Sequence, residues 1–259
     1  MYPVLFTIGS ISVETYYVLW LLALSLAMRW SVRRFVLYGV DEDEGRRVIG
    51  WAFIGMLVGA RAFEYVWNFR AYWNDLALIL DLNRGGLSEV GAFLGAFITA
   101  WCLCRRNPRL SFSRLCDVVV PPAISTMIVG RWGCFFAGCC TGISSTVPWA
   151  VHFPYDPAGL TRHPTQIYYS LASGIILLIL LAAEKRIFRR GQIPCRTILA
   201  PLGLMPYSLM RLLIDPLRAE AASDGLTLSH AVLLCTLPLE LIWLYRSLKS
   251  WKRELPASQ

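Results

Sequence analysis

Apolar residues fall along this chain in long runs, broken at intervals by short clusters rich in Arg, Lys, Asp and Gly. The pattern predicts seven helical spans, at roughly 13–36, 47–68, 87–104, 115–138, 166–184, 196–214 and 229–248. Each is long enough to cross about 30 Å of hydrocarbon. The expected fold is therefore all-α and polytopic, a single membrane-embedded domain over 1–259. Three runs, 47–68, 115–138 and 196–214, contain an Arg, a Pro or both, which makes them the weakest on hydropathy alone.

Composition agrees: 56% of the 259 residues are hydrophobic and 16% charged, where a soluble domain carries about a quarter charged residues. The charge distribution then orients the spans. Eighteen of the 25 Lys and Arg fall in four places, Arg29 to Arg47, Arg105 to Arg114, Lys185 to Arg196 and Arg246 to Arg253. These alternate with connections that hold only Arg70, Arg84, Arg162 and Arg218. By the positive-inside rule the N-terminus is outside and the C-terminus cytoplasmic, which makes 139–165 a short extracytoplasmic loop. The net charge of +8 is thus a topology signal, with contact to anionic headgroups as a secondary consequence. No basic stretch carries a nucleic-acid-binding motif, so no nucleic-acid partner is expected. The first residues have no positively charged n-region followed by a cleavage site, and no cleaved signal peptide is expected. The acidic run Asp41 to Glu44 reads as a solvated turn or a helix start.

Candidate chemistry begins at Arg131. The twelve residues before Gly130, Val118 to Val129, carry no charge, so this Arg lies at or near the end of a span. A guanidinium at that depth costs a few kcal/mol on insertion scales and usually faces a polar cavity or functional site. The bland alternative is a snorkelling side chain. Arg61 with Glu64, and Arg211 with Asp215, also sit in or at the ends of apolar runs, and together they point to a site that handles something charged within reach of lipid. Five of the eight cysteines are scattered and read as packing residues. Cys134, Cys139 and Cys140 cluster in sequence, but C-x4-C-C is neither a C-x-x-C redox pair nor a paired zinc knuckle. No metal is expected there. A Cys134 disulfide with Cys139 or Cys140 remains open, as does a Cys134 thiolate supported by Arg131.

In order along nearly the whole chain, six blocks resemble the bacterial phosphatidylglycerol–prolipoprotein diacylglyceryl transferases. They are Phe6 to Tyr16, Gly59-Ala60-Arg61, Gly85 to Gly95, Gly130 to Gly142, the pair Pro148 to Pro154 with Arg162 to Tyr168, and the late elements Arg211, Asp215 and Gly225 to Ser229. The resemblance implies a multi-pass transferase of the bacterial cytoplasmic membrane that moves a diacylglyceryl group from phosphatidylglycerol, or a similar anionic phospholipid, to a thiol, releasing glycerol phosphate. It implies no cofactor. Its partners would be the donor lipid, the bilayer and a prolipoprotein or other acceptor.

By residue, the resemblance implies catalytic roles for Tyr16, Arg131, Arg211 and Asp215; Cys134, a thiol where the family has Asn, is the fifth catalytic candidate. The arginines would meet the charge growing on the leaving phosphate, with Asp215 one turn from Arg211 to orient it or act as base. Substrate contacts would come from Arg61 and Glu89, from Gly138 and Gly142 where the headgroup passes the backbone, and from Arg162, His163 and Gln166. For His163, support of the external loop outweighs catalysis; His152 and His230 read as interfacial or capping residues. The departures are as telling. Cys134, Ala137 and Cys139 stand where the family has Asn, Asn and Glu; Val90 replaces a His and Asp215 a Glu. The phosphate half of the chemistry looks retained and the acceptor half altered. A membrane thiol-redox protein using the three cysteines, and a lipid-binding relative without chemistry, are the competing classes.

Overall fold

The computed structural model describes residues 2–9, 11–72, 87–189, 197–219 and 228–254. Gly85 and Gly86 of the third block, Gly225 to Thr227 of the last, Cys195, and Arg84, Arg190 and Arg196 of the charge pattern lie outside the described residues. A hairpin of β1 (Val4–Ile8) and β2 (Ile11–Glu14) precedes helices α1 (Thr15–Leu37), α2 (Glu42–Trp67), the single turn α3 (Phe69–Tyr72), α4 (Glu89–Arg106), α5 (Phe112–Ala137), α6 (Thr165–Arg189), α7 (Leu199–Ile214), a 3-10 turn Asp215–Leu217, and α8 (Leu228–Glu254). The long helices fall on the seven predicted runs. Among the described residues five of them, α1, α2, α5, α6 and α8, are long and apolar enough to cross a membrane. The two that fall short are α4, with Glu89, Arg105 and Arg106 in its 18 residues, and α7, with 16. The Arg in α2 and the adjacent Pro121 and Pro122 in α5 therefore weaken those spans less than the sequence pattern implies. Large apolar side chains stay exposed along the helices, among them Leu21, Leu26, Leu171, Ile175, Leu178 and Leu239; such faces suit a lipid solvent.

The hairpin is the departure from an all-α expectation. The pattern starts the first helix at residue 13, yet Val13 and Glu14 pair in register with Phe6 and Val4, and helix begins only at Thr15. Gly9 at φ 60 lets the chain reverse there.

The chain divides into two compact units, 1–30 with 116–259, and 31–115. In the 31–115 unit, Asp41 starts α2 by accepting from the backbone N–H of Asp43 and Glu44 at 3.1 and 3.4 Å, so the acidic run is a helix start whose charges favour the positive end of the dipole. Ser88 does the same for α4, accepting from Gly91 N at 3.3 Å. These two helices cross backbone to backbone, with Gly55 and Gly59 facing Gly91 and Gly95. A Cβ on Gly95 would lie 2.0 Å from the Gly55 carbonyl oxygen, and one on Gly59 would lie 2.4 Å from that of Gly91. This is the small-residue packing through which helices associate where no hydrophobic driving force acts between them. Gly95→Ala is therefore expected to lower stability by about 1–3 kcal/mol, read as a drop in Tm. Gly50→Ala, on α2 with open space around it, leaves Tm unchanged or raises it.

In the other unit the core runs between α5, α6 and α7, through Val120, Ile124, Ile176, Leu180, Leu199 and Met210. Asp117, buried within α5, starts α7 from across this core: its carboxylate accepts from Ile198 N at 2.9 Å and Ala200 N at 2.8 Å. Those N–H groups begin a helix and have no intrahelical partner. Along the other side of α5, Gly130 lies under the Trp20 ring and Gly133 against the Tyr16 backbone, which seats the start of α1 beside the end of α5.

Candidate active site

At its C-terminal end α5 turns back on itself. Gly138 takes φ 73 and Cys140 φ 57, the latter the one non-glycine residue with positive φ among the described residues. For a side-chain-bearing residue that conformation costs roughly 1–2 kcal/mol. The turn closes with Gly138 N donating to Phe135 O at 3.2 Å and Cys139 N to Cys134 O at 3.1 Å. It brings the sulfurs of Cys134, Cys139 and Cys140 within 4.8 Å of one another. The start of α6 pins the same turn, with Thr165 Oγ1 donating to Cys140 O at 2.8 Å and Gln166 Nε2 to Cys139 O at 2.7 Å. Cys134 is buried and its partners half-buried.

Hydrogen bonds from the Cys134 and Cys139 thiols hold the Cys140 thiol well below its ordinary value, helped by the positive charges of Arg218 and Arg131 and opposed by burial. The bonds to Cys134 and Cys140 push Cys139 the other way. The positive charges of Arg218 and Arg131 thus favour an anion within this cluster. Tyr16, half-buried at the start of α1, lies within electrostatic reach of all three sulfurs.

The segment after this turn is clipped on both sides. Ile143 N donates to Leu217 O at 2.8 Å, Ala219 N to Thr141 O at 3.0 Å and Gly142 N to His163 O at 3.0 Å. A Cβ on Gly142 would lie 2.5 Å from the His163 carbonyl oxygen, so this glycine is required by the chain packed against it. Gly138 is accounted for by its left-handed turn. Arg162 directs Nε at both oxygens of Asp156, at 2.8 and 2.9 Å, and Nη1 at the Gly142 carbonyl at 3.3 Å; it braces the loop. His163 Nδ1 lies 3.0 Å from the Tyr168 hydroxyl, and Gln166 is buried against the cysteine turn.

Arg131 sits one helical turn before Cys134. It is 7% exposed, its guanidinium carbon lies 4.3 Å from the centroid of the Tyr169 ring, and its Nε has no hydrogen-bond partner. Beneath it a network runs across α6, α7, the 3-10 turn and α8. The Tyr169 hydroxyl donates to Asp215 Oδ1, Arg211 Nε donates to Asp215 Oδ2 at 3.0 Å, and His230 Nε2 lies 4.0 Å from that same oxygen. Arg211 and Asp215 are 5% and 3% exposed. A buried ion pair holds only when further hydrogen bonds satisfy it, and Tyr169 supplies one.

The structure thus gathers Tyr16, Arg131, Cys134, Gly138, Gly142, Arg162, His163, Gln166, Arg211 and Asp215 in one unit. Arg61 and Glu89 belong to the other, Arg61 with its guanidinium 5.7 Å from the Tyr72 ring centroid and Glu89 in the first turn of α4. His230, expected as an interfacial or capping residue, is instead buried against Asp215. Sequence reasoning missed Tyr169, Asp117 and Arg218. The signal for Tyr169 was present: Gln166, Tyr169, Ser170 and Ser173, all buried, form a polar stripe at helical spacing in the uncharged stretch of α6 before Glu184.

A family model described as prolipoprotein diacylglyceryl transferase matches residues 3–245. A phosphatidylglycerol–prolipoprotein diacylglyceryl transferase of Azotobacter vinelandii is 29% identical, with 94% of each chain covered. Proteins of the same description are 30% identical in Pseudomonas fluorescens, over 86% of this chain and 82% of the relative, and in Synechococcus elongatus, over 98% and 90%.

Proposed function

The chain belongs to the prolipoprotein diacylglyceryl transferase family, and from that premise we propose that it transfers a diacylglyceryl group from phosphatidylglycerol to the cysteine thiol of a prolipoprotein. We place the reaction at the outer face of the bacterial cytoplasmic membrane, with seven spans, the N-terminus outside and the C-terminus cytoplasmic. The alternation of basic clusters along the sequence supports that orientation.

The acceptor thiolate attacks the glycerol carbon esterified to the phosphate. A carbon–sulfur bond forms, the carbon–oxygen bond breaks, and the electron pair leaves on glycerol phosphate. Catalysis then depends on preorganised positive charge where that anion develops. The observation that carries the reading is the buried guanidinium of Arg131 with an unsatisfied Nε. Buried donors are rarely left without a partner, and a planar guanidinium suits a phosphate. Tyr169 acts as a positioning residue, its ring under Arg131 and its hydroxyl fixed by Asp215. Arg211 completes the charge of that network, and Tyr16 stands on the acceptor side beside the cysteine turn. Arg61 and Glu89 enter only through the family resemblance, as contacts to the headgroup.

Complementation tests the reading. In a bacterium depleted of its own transferase, this chain is expected to restore growth and diacylglyceryl-modified lipoproteins, detected by mass spectrometry. An Arg131→Ala variant present in the membrane at the same level is expected to restore neither. No rescue by the parent chain, despite correct membrane insertion, would overturn the assignment.

A further inference from the structure

We propose that Cys134, Cys139 and Cys140 form a three-coordinate binding site for a soft monovalent cation, Cu(I). The spacing C-x4-C-C matches no familiar metal motif, but the fold supplies what the spacing does not. The left-handed residues Gly138 and Cys140 fold the chain back so that all three sulfurs lie within 4.8 Å of one another. Three sulfurs bound in a plane to one ion at about 2.3 Å stand about 4 Å apart, so the triangle has to close by less than about 1 Å. The turn is also held in place. The carbonyls of Cys139 and Cys140 are fixed by Gln166 and Thr165, and Cys134 is anchored in α5 and buried.

The donor set selects the ion. Thiolates favour soft cations, Cu(I) and Zn(II) foremost. A closed zinc site takes four ligands, whereas among the described residues this group contains three cysteines and no His, Asp or Glu. Charge points the same way. Three thiolates around Cu(I) carry a net charge of about −2, and two guanidiniums, Arg131 and Arg218, act electrostatically on this cluster. Arg131 reaches it from the same helix and Arg218 from the strand-like pairing with Gly142. Binding displaces the thiol protons to solvent. The cluster shares Arg131 with the transfer reading, but metal binding is read without turnover, so either reading can fail alone.

The test is an anaerobic titration of the purified full-length chain in detergent with Cu(I), in competition with a chromophoric chelator, followed by X-ray absorption. One equivalent bound by three sulfur ligands is expected. Each of the Cys134→Ser, Cys139→Ser and Cys140→Ser variants is expected to lose at least the roughly 100-fold in affinity that removing even a supporting group can cost. Cys102→Ser and Cys235→Ser, at exposed thiols elsewhere, are expected to bind as the parent does. Should Cys134→Ser fail to fold, the two variants in the turn beyond the helix decide. Undiminished binding by folded Cys139→Ser and Cys140→Ser, preferential retention of Zn(II) with a fourth ligand, or a disulfide within the cluster that leaves Cu(I) unbound would each overturn the proposal.

Discussion

Replacing Arg131 with alanine is expected to lower diacylglyceryl transfer by about 10²–10³-fold, the range for removing one preorganised donor from a developing anion. The chain should remain folded, because Arg131 contributes a ring contact with Tyr169 and, at its Nε, no hydrogen bond to the fold. Arg131→Lys keeps the charge but loses the planar fork and the stacking, so transfer is expected to fall between the two. The measurement is initial rate against phosphatidylglycerol concentration, with Tm recorded for each variant. An Arg131→Ala protein with parental rates removes the anion-binding role outright.

The second large effect lies in the network under that arginine. Asp215→Ala leaves the Arg211 guanidinium buried without its carboxylate and the Tyr169 hydroxyl without its acceptor. Breaking one side of a buried pair costs about 3–5 kcal/mol, so a large fall in Tm is expected together with lost transfer. Arg211→Ala is expected to lower activity at least as strongly as Asp215→Ala. A double variant, Arg211→Leu with Asp215→Leu, separates the two consequences. Removing both charges is expected to recover most of the stability while transfer stays lost. A folded, fully active Arg211→Ala protein would show that this pair serves neither purpose.

The helices were legible in the sequence because spans of this length leave a hydropathy signal that tertiary packing does not alter, and because Asp41 and the acids after it mark a helix start by local chemistry alone. Arg131, Arg211 and Asp215 were legible for a related reason: a charge in an apolar run is conspicuous. What the sequence concealed is pairing across distance. Asp117 reads as one acid ahead of an apolar stretch, and only the packing of α5 against α7 shows that it caps a helix 81 residues further on. Tyr169 belongs to a polar stripe that the sequence displays, but its contact with Arg131 appears only in the fold. The meeting of the three cysteine sulfurs was hidden for a geometric reason, since it depends on a turn with a non-glycine residue in the left-handed region. The N-terminal hairpin was obscured because its strands are short and run directly into an apolar helix.

Transfer of a diacylglyceryl group from an anionic phospholipid to a thiol, with Arg131 meeting the leaving phosphate, is decided by incubating the purified protein with phosphatidylglycerol and a peptide bearing a lipoprotein-type acceptor cysteine. Mass spectrometry is expected to show the peptide gaining one diacylglyceryl group with glycerol phosphate released in equal amount, and the Arg131→Ala protein is expected to produce almost none. A peptide that stays unmodified, or one modified equally well by the Arg131→Ala protein, would contradict the account.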